Sequence, residues 1–274
     1  MNKNIICVLL MTILFFIPTE VYAADYNITN VKIHAYLQPN GEVIVQEEHT
    51  YEFSGEFGGI IRELIPKEGT EIVELEAFEG NDPLLIETDR TEHRIHREGK
   101  DETITIDITY KINNGVDVYE DVADFYWPFF DKSNEATYEN LIVYVIPPEP
   151  TTALIAFGYD EAYKTETVFD DGQVQFVMGE VPRKRNGDIR VAYAPELFPV
   201  SNLTANKFMY DEIVAEKQHL LETEMAKAAR QEQLSSIGVI LVPLFALLLV
   251  FVFVKAWLEA KSKKAVVMRE LELP

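Results

Sequence analysis

Two apolar segments, residues 5–18 and 234–254 of a 274-residue chain, bracket a polar region that carries nearly all the charge. They differ in kind. The first follows Lys3, is broken at Pro18 and leads to the small residues Val21 and Ala23, the pattern of a secretory signal with its cleavage site. Residues 1–23 therefore read as a signal peptide, with the mature chain starting near Ala24. An uncleaved anchor is the alternative, although the run is shorter than the roughly 20 residues that span a bilayer.

The second segment has no charge from Gln233 to Val254, 22 residues. At about 1.5 Å of rise per residue, such a helix covers the roughly 30 Å hydrocarbon core. Pro243 is tolerable inside it, and Trp257 stands where an interfacial aromatic is expected. Lys255, Lys261, Lys263, Lys264 and Arg269 follow, against Glu259, Glu270 and Glu272. Positive residues stay inside, so residues 255–274 read as a basic cytoplasmic tail. The expected layout is a single-pass plasma-membrane protein with its N-terminal bulk outside the cell.

Residues 24–236 number 213, enough for one domain with a real core. They hold 18 Lys and Arg against 42 Asp and Glu, a net charge of −24. That field repels phosphates and anionic headgroups, which disfavours nucleic acid as a partner. Cations are the natural counter-charge, and solubility of an exported domain explains the same acidity without a ligand. The single cysteine, Cys7, falls in the signal segment, so the mature chain is expected to have neither disulfides nor thiol chemistry. A cysteine-free exported domain looks bacterial, because eukaryotic secreted domains commonly carry disulfides.

Apolar and polar residues alternate on both sides of Pro39-Asn40-Gly41, with Val31, Ile33, Ala35 and Leu37 before the turn and Val43 and Val45 after it. That is a hairpin signal. Further strand-like runs are 71–78, 92–97, 103–112, 139–146, 153–157, 173–178 and 188–194, each bounded by Gly, Asn, Asp or Pro. In the third, Thr103, Thr105, Asp107 and Thr109 share one face and Ile104, Ile106, Ile108 and Tyr110 the other, as in a half-buried strand. Short strands with no helical pattern between them predict an antiparallel β-sandwich over residues 24–200. Residues 205–233 lack Gly and Pro and are rich in helix formers, so 201–233 reads as a helical stalk leading to the transmembrane helix at 234–254.

No catalytic constellation emerges: the sequence holds no nucleophile elbow, zinc-protease helix motif, phosphate loop or nucleotide fingerprint, and no cofactor is expected. His93 and His96, three apart on a strand, face opposite sides, so joint metal ligation needs a turn there. Asp117, Glu120, Asp121 and Asp124 offer hard oxygens to a cation but lack the loop spacing of a known calcium motif; a solvated acidic loop is the plainer reading. Phe125, Tyr126, Trp127, Phe129 and Phe130 form the densest aromatic cluster, read first as core and second as a binding surface.

Two stretches, 58–66 with Gly58, Gly59 and Arg62, and 119–127 with Asp121, Phe125, Tyr126 and Trp127, resemble the motifs of a bacterial family of predicted membrane proteins, domain of unknown function 2207. The resemblance runs from about Tyr26 to Phe198. It implies an exported β-rich domain tethered to the membrane, in a short form ending 20 residues past Val254 where many relatives continue into a long C-terminal region. Within the two motifs, Gly58 and Gly59 permit backbone geometries closed to other residues, and an Arg62–Asp121 ion pair is expected. The function expected is a binding or scaffolding module for another membrane or envelope protein. The alternative is a cation-dependent envelope sensor or enzyme built on the Asp117 to Asp124 loop.

Overall fold

Alternation around residues 38–42 folds the chain back on itself, because Gly41 takes a positive φ of 80° and Asn40 accepts a hydrogen bond from the Glu42 N–H. The computed structural model describes residues 25–202 and 204–271; the signal segment and Cys7 lie outside them. Two strands, β1 (Asp25–Leu37) and β2 (Val43–Ser54), pair from Leu37 with Val43 outward. They are the centre of an eight-stranded sheet.

The remaining strands are β3 (Glu56–Glu63), β4 (Glu71–Glu79), β5 (Asp82–Pro83), β6 (Leu85–Asp89), β7 (Glu92–Lys100), β8 (Thr103–Asn113), β9 (Asp117–Val118), β10 (Ala123–Pro128), β11 (Tyr138–Ile146), β12 (Ile155–Gly158), β13 (Glu166–Val168), β14 (Val174–Val181) and β15 (Asp188–Tyr193). The large sheet runs β13-β14-β11-β1-β2-β8-β4-β5, a second runs β12-β15-β10-β9, and a third β3-β7-β6. One hydrophobic cluster joins all three, with Ile33, Ile108, Phe176, Phe125, Val191, Ile60 and Ile95 among its members. The strand pairs are antiparallel except β1 with β11, which run parallel. The chain between those two passes through β2 to β10, ample length for the crossover that parallel pairing needs.

All the strand-like runs read from the sequence are strands, and β8 buries Ile104, Ile106, Ile108 and Tyr110 on one face as expected. Six strands have no counterpart among those runs: β5, β6, β9 and β13, each of five residues or fewer, and the longer β3 and β10. β3 falls on the motif that carries Arg62, where no strand-like run is read, its alternation hidden by a bulge between Phe57 and Gly59. β10 sits where an acidic loop is expected to run into aromatics; it buries Ala123, Phe125 and Trp127 on one face and Asp124 on the other, with Tyr126 and Pro128 half-buried, so no face is fully open to water to mark it as a strand.

The chain divides after Glu212. The second part belongs to one helix, α1 (Tyr210–Leu271), which runs through the positions expected for stalk, membrane span and much of the tail. Its stretch Pro243–Lys261 is long and apolar enough to cross a membrane, with mean hydropathy 2.0.

Candidate functional site

The inward positions of β2 are Val43, Val45, Glu47, His49, Tyr51 and Phe53, so the alternation that builds the core also buries a carboxylate and an imidazole, each 1% exposed. A buried charge is tolerated only when paired and hydrogen-bonded. Glu47 meets four donors. Arg62 on β3 forks onto it, Nε to Oε2 and Nη2 to Oε1, both at 2.8 Å. Tyr110 on β8 donates to Oε1 at 2.8 Å, and His49 Nε2 lies 2.7 Å from Oε2. Burial by itself raises the Glu47 carboxyl; the Arg62 charge and the hydrogen bonds from His49 and Arg62 outweigh it and hold the group well below the usual carboxylate range. Burial, then the Glu47 charge, pushes the Tyr110 hydroxyl well above its ordinary value.

Arg62 also ties the elements together, donating through Nη2 to the Phe129 carbonyl at 3.1 Å and through Nη1 to that of Glu63 at 3.0 Å. His49 is left incomplete. An ionised carboxylate only accepts, so the ring nitrogen against Glu47 carries a proton, and Nδ1 is buried with no hydrogen-bond partner among the described residues.

His49 lines a cavity of about 890 Å³. Its aromatic floor comes from β1 and β2, where Tyr26 packs 5.7 Å and Tyr51 5.8 Å from Phe53, and Phe57 of β3 stacks on Phe53 at 3.8 Å between centroids. Tyr138 on β11 continues that surface beside His49, Phe129 and Phe130 add to the lining, and Ile61, 62% exposed, stands at the mouth. Glu56, Glu63, Glu92, Asp131 and Glu135 make the rim acidic. Lys67 is its basic member; its Nζ donates to the Tyr126 carbonyl at 2.8 Å, and burial pulls it below its ordinary value.

Of the residues singled out in the sequence, Gly58, Gly59 and Arg62 line this cavity, whereas Asp121, Phe125, Tyr126 and Trp127 do not. The expected Arg62–Asp121 pair is replaced by Arg62–Glu47. β3 points Arg62 inward onto the β2 face, while Asp121 accepts from the backbone N–H groups of Met209 and Tyr210, capping the start of α1. Asp124 is buried under a second fork, Arg190 Nε at 2.9 Å from Oδ1 and Nη2 at 2.6 Å from Oδ2; burial pushes its carboxyl up against that pull. Asp117 pairs with Asp124 in the β9–β10 ladder, and the Glu120 N–H donates to the Lys207 carbonyl.

Among the described residues, no three His, Cys, Asp or Glu side chains converge as a metal site. His93 is buried and bonded to Thr88 at 3.0 Å, and His96 faces outward toward Glu87, as positions three apart require. Phe125, Trp127, Phe129 and Phe130 are buried and Tyr126 is half-buried, its hydroxyl donating to Asp188. Glu47, His49, Tyr51 and Tyr110 are not among the site residues singled out in the sequence. The signal was present: Glu47 and His49 occupy the inward register that Val43 and Val45 establish.

Among solved structures, the chain is similar to the M1 zinc metallopeptidase from Deinococcus radiodurans, at 12% identity and a TM-score of 0.38 over 60% of this chain and 42% of that one. It is similar to leukotriene A4 hydrolase from Saccharomyces cerevisiae at 10% identity and a TM-score of 0.39, over 66% and 33%. Aminopeptidase A from Legionella pneumophila gives 13% and 0.35, over 63% and 22%. The chain thus spans less than half the length of each, and scores this low leave fold and activity to be argued from the chain itself. No curated protein matches the sequence. The family model described as predicted membrane protein (DUF2207) N-terminal domain matches residues 27–193, more than half of the chain and every residue that lines the cavity except Tyr26, and the protein belongs to that family.

Proposed function

We propose that residues 24–200 are an extracytoplasmic binding module that receives part of another membrane or envelope protein in the β2–β3 cavity. The observation that carries this reading is His49, whose ring lines the cavity while its buried Nδ1 has no hydrogen-bond partner among the described residues. Buried polar atoms are nearly always satisfied, and an orphan beside a large aromatic-walled space suits a ligand that completes it. The apolar stretch of α1 supports a membrane tether, and Lys255 and Lys261 near its end support a cytoplasmic C-terminus and a plasma-membrane location.

The test is photo-crosslinking in native membranes with a photoreactive residue in place of Ile61, which is exposed at the mouth, or of Val200, which is exposed and does not line the cavity. The expected result is a discrete adduct from position 61 and none from position 200. Equal labelling from both, or none from 61, overturns the reading.

A further inference from the structure

Sheet edges present unpaired backbone groups, and proteins blunt them with very short strands, charge or proline. Here the edge strands β13, β5, β12 and β9 have 3, 2, 4 and 2 residues. β6 has 5 and ends in Glu87, Thr88 and Asp89. β3 is the exception in length, with 8 residues and no Pro; its charges, Glu56, Arg62 and Glu63, stand at its two ends and leave residues 57–61 uncharged. It pairs with β7 on one side and with no strand on the other among the described residues.

All 8 residues of β3 line the cavity. Consecutive residues of a strand point their side chains to opposite faces, so a space that touches every one of them runs along the strand's edge. The backbone direction agrees. Leu64 N–H donates to the Thr91 carbonyl at 2.8 Å, on the β7 side, and Arg62 and Ile60 share that side by alternation. Ile61 and Glu63 then turn their N–H and C=O groups to the open edge, where the Glu63 carbonyl is already met by Arg62. The bulge lies at the far end, between Phe57 and Gly59, so residues 60–63 form a regular ladder with 92–95.

We propose that the cavity is a strand-acceptor groove, in which an extended, basic segment of a partner protein pairs with the open edge of β3 as a fourth strand of the β3-β7-β6 sheet. This rests on the reading of the cavity as the binding site. Backbone hydrogen bonds to the N–H and C=O of Ile61 and to the N–H of Glu63 supply the pairing, and alternate apolar or aromatic side chains of the guest lie on the Tyr51 and Phe53 floor. Lys or Arg at the intervening positions complements the rim carboxylates Glu56, Glu63, Asp131 and Glu135. In a neutral His49 ring Nδ1 is an acceptor, so a guest hydroxyl or indole N–H reaching the floor completes it.

The experiment uses the full chain in detergent micelles as bait for a displayed library of random 12-residue peptides, followed by synthesis of the enriched sequences with single backbone N-methyl groups. The expected peptides alternate apolar and basic residues. N-methylation at every second amide should weaken binding tenfold or more, and at the intervening amides change it less than twofold. Affinity should fall as salt rises, and the peptides should compete with the adduct formed from position 61. An absence of enriched peptides, or N-methyl effects without a period of two, overturns the strand reading. If the native adduct at position 61 still forms in that case, the cavity remains the binding site and only the β-pairing falls; if it does not, both readings fall.

Discussion

Glu47 is the most consequential single position because its carboxylate is fully withdrawn from water and depends on Arg62, Tyr110 and His49 for every hydrogen bond it makes. Removing one partner of such a pair leaves an uncompensated buried charge. Arg62→Ala is expected to lower stability by about 3–5 kcal/mol, whereas the double change Glu47→Leu with Arg62→Met should cost far less. Denaturant titration of the full chain in micelles, followed through the buried Trp127, separates the two outcomes. The same pair sets an acid limb. A folded-state value below the ordinary one gives stability that is complete above the unfolded carboxylate range and is lost as pH falls below roughly 4.5. The double variant should flatten that limb, and an unchanged pH profile would count against ionisation of Glu47 in the folded chain. His93 adds a weaker contribution of the same sign: burial, then the Arg62 charge, lowers it, so stability falls as pH drops through its ordinary range near about 6.5.

At the scale of elements, β3 depends on its bulge. Gly59 has φ 145°, and a Cβ there would run into the Ile95 carbonyl oxygen of β7, while a Cβ on Gly58 meets open space. Gly59→Ala should therefore cost on the order of 1–3 kcal/mol and Gly58→Ala little, measured by the same titration. Asp121→Ala should remove the cap on α1 at a cost of about 1 kcal/mol, with a local rise in amide exchange at Met209 and Tyr210 as its signature. How legible each element was follows from its environment. β1, β2 and β8 have one face in the core and one toward water, which writes a period of two into the residues. β10 has no such contrast, and the Gly58-Gly59 pair erases it in β3. The site was half visible for the same reason: Arg62 was singled out, but its carboxylate partner lies 15 residues back, on a strand whose register with β3 no local pattern states.

For the whole molecule, the family assignment and the apolar stretch of α1 agree on a membrane protein carrying a β-rich N-terminal domain. The proposed orientation gives a direct outcome. With Cys7 replaced by serine, Val200→Cys should react with a membrane-impermeant maleimide on intact cells, and Ser262→Cys, just past the apolar stretch, only after permeabilisation; the reverse pattern would invert the topology. By itself the sequence determined the apolar segments, the acidic balance of the bracketed region and nine readable strands, because each is encoded in composition or in periodicity between near neighbours, and it carried the family resemblance in two local motifs. Only the tertiary structure decided that Arg62 meets Glu47 and not Asp121, that His49 is left with an unpartnered nitrogen, and that the edge of β3 opens onto a cavity. Those outcomes depend on which strands pair, in which register, and how the sheets share one core, and such long-range choices are fixed by burial summed over the whole chain.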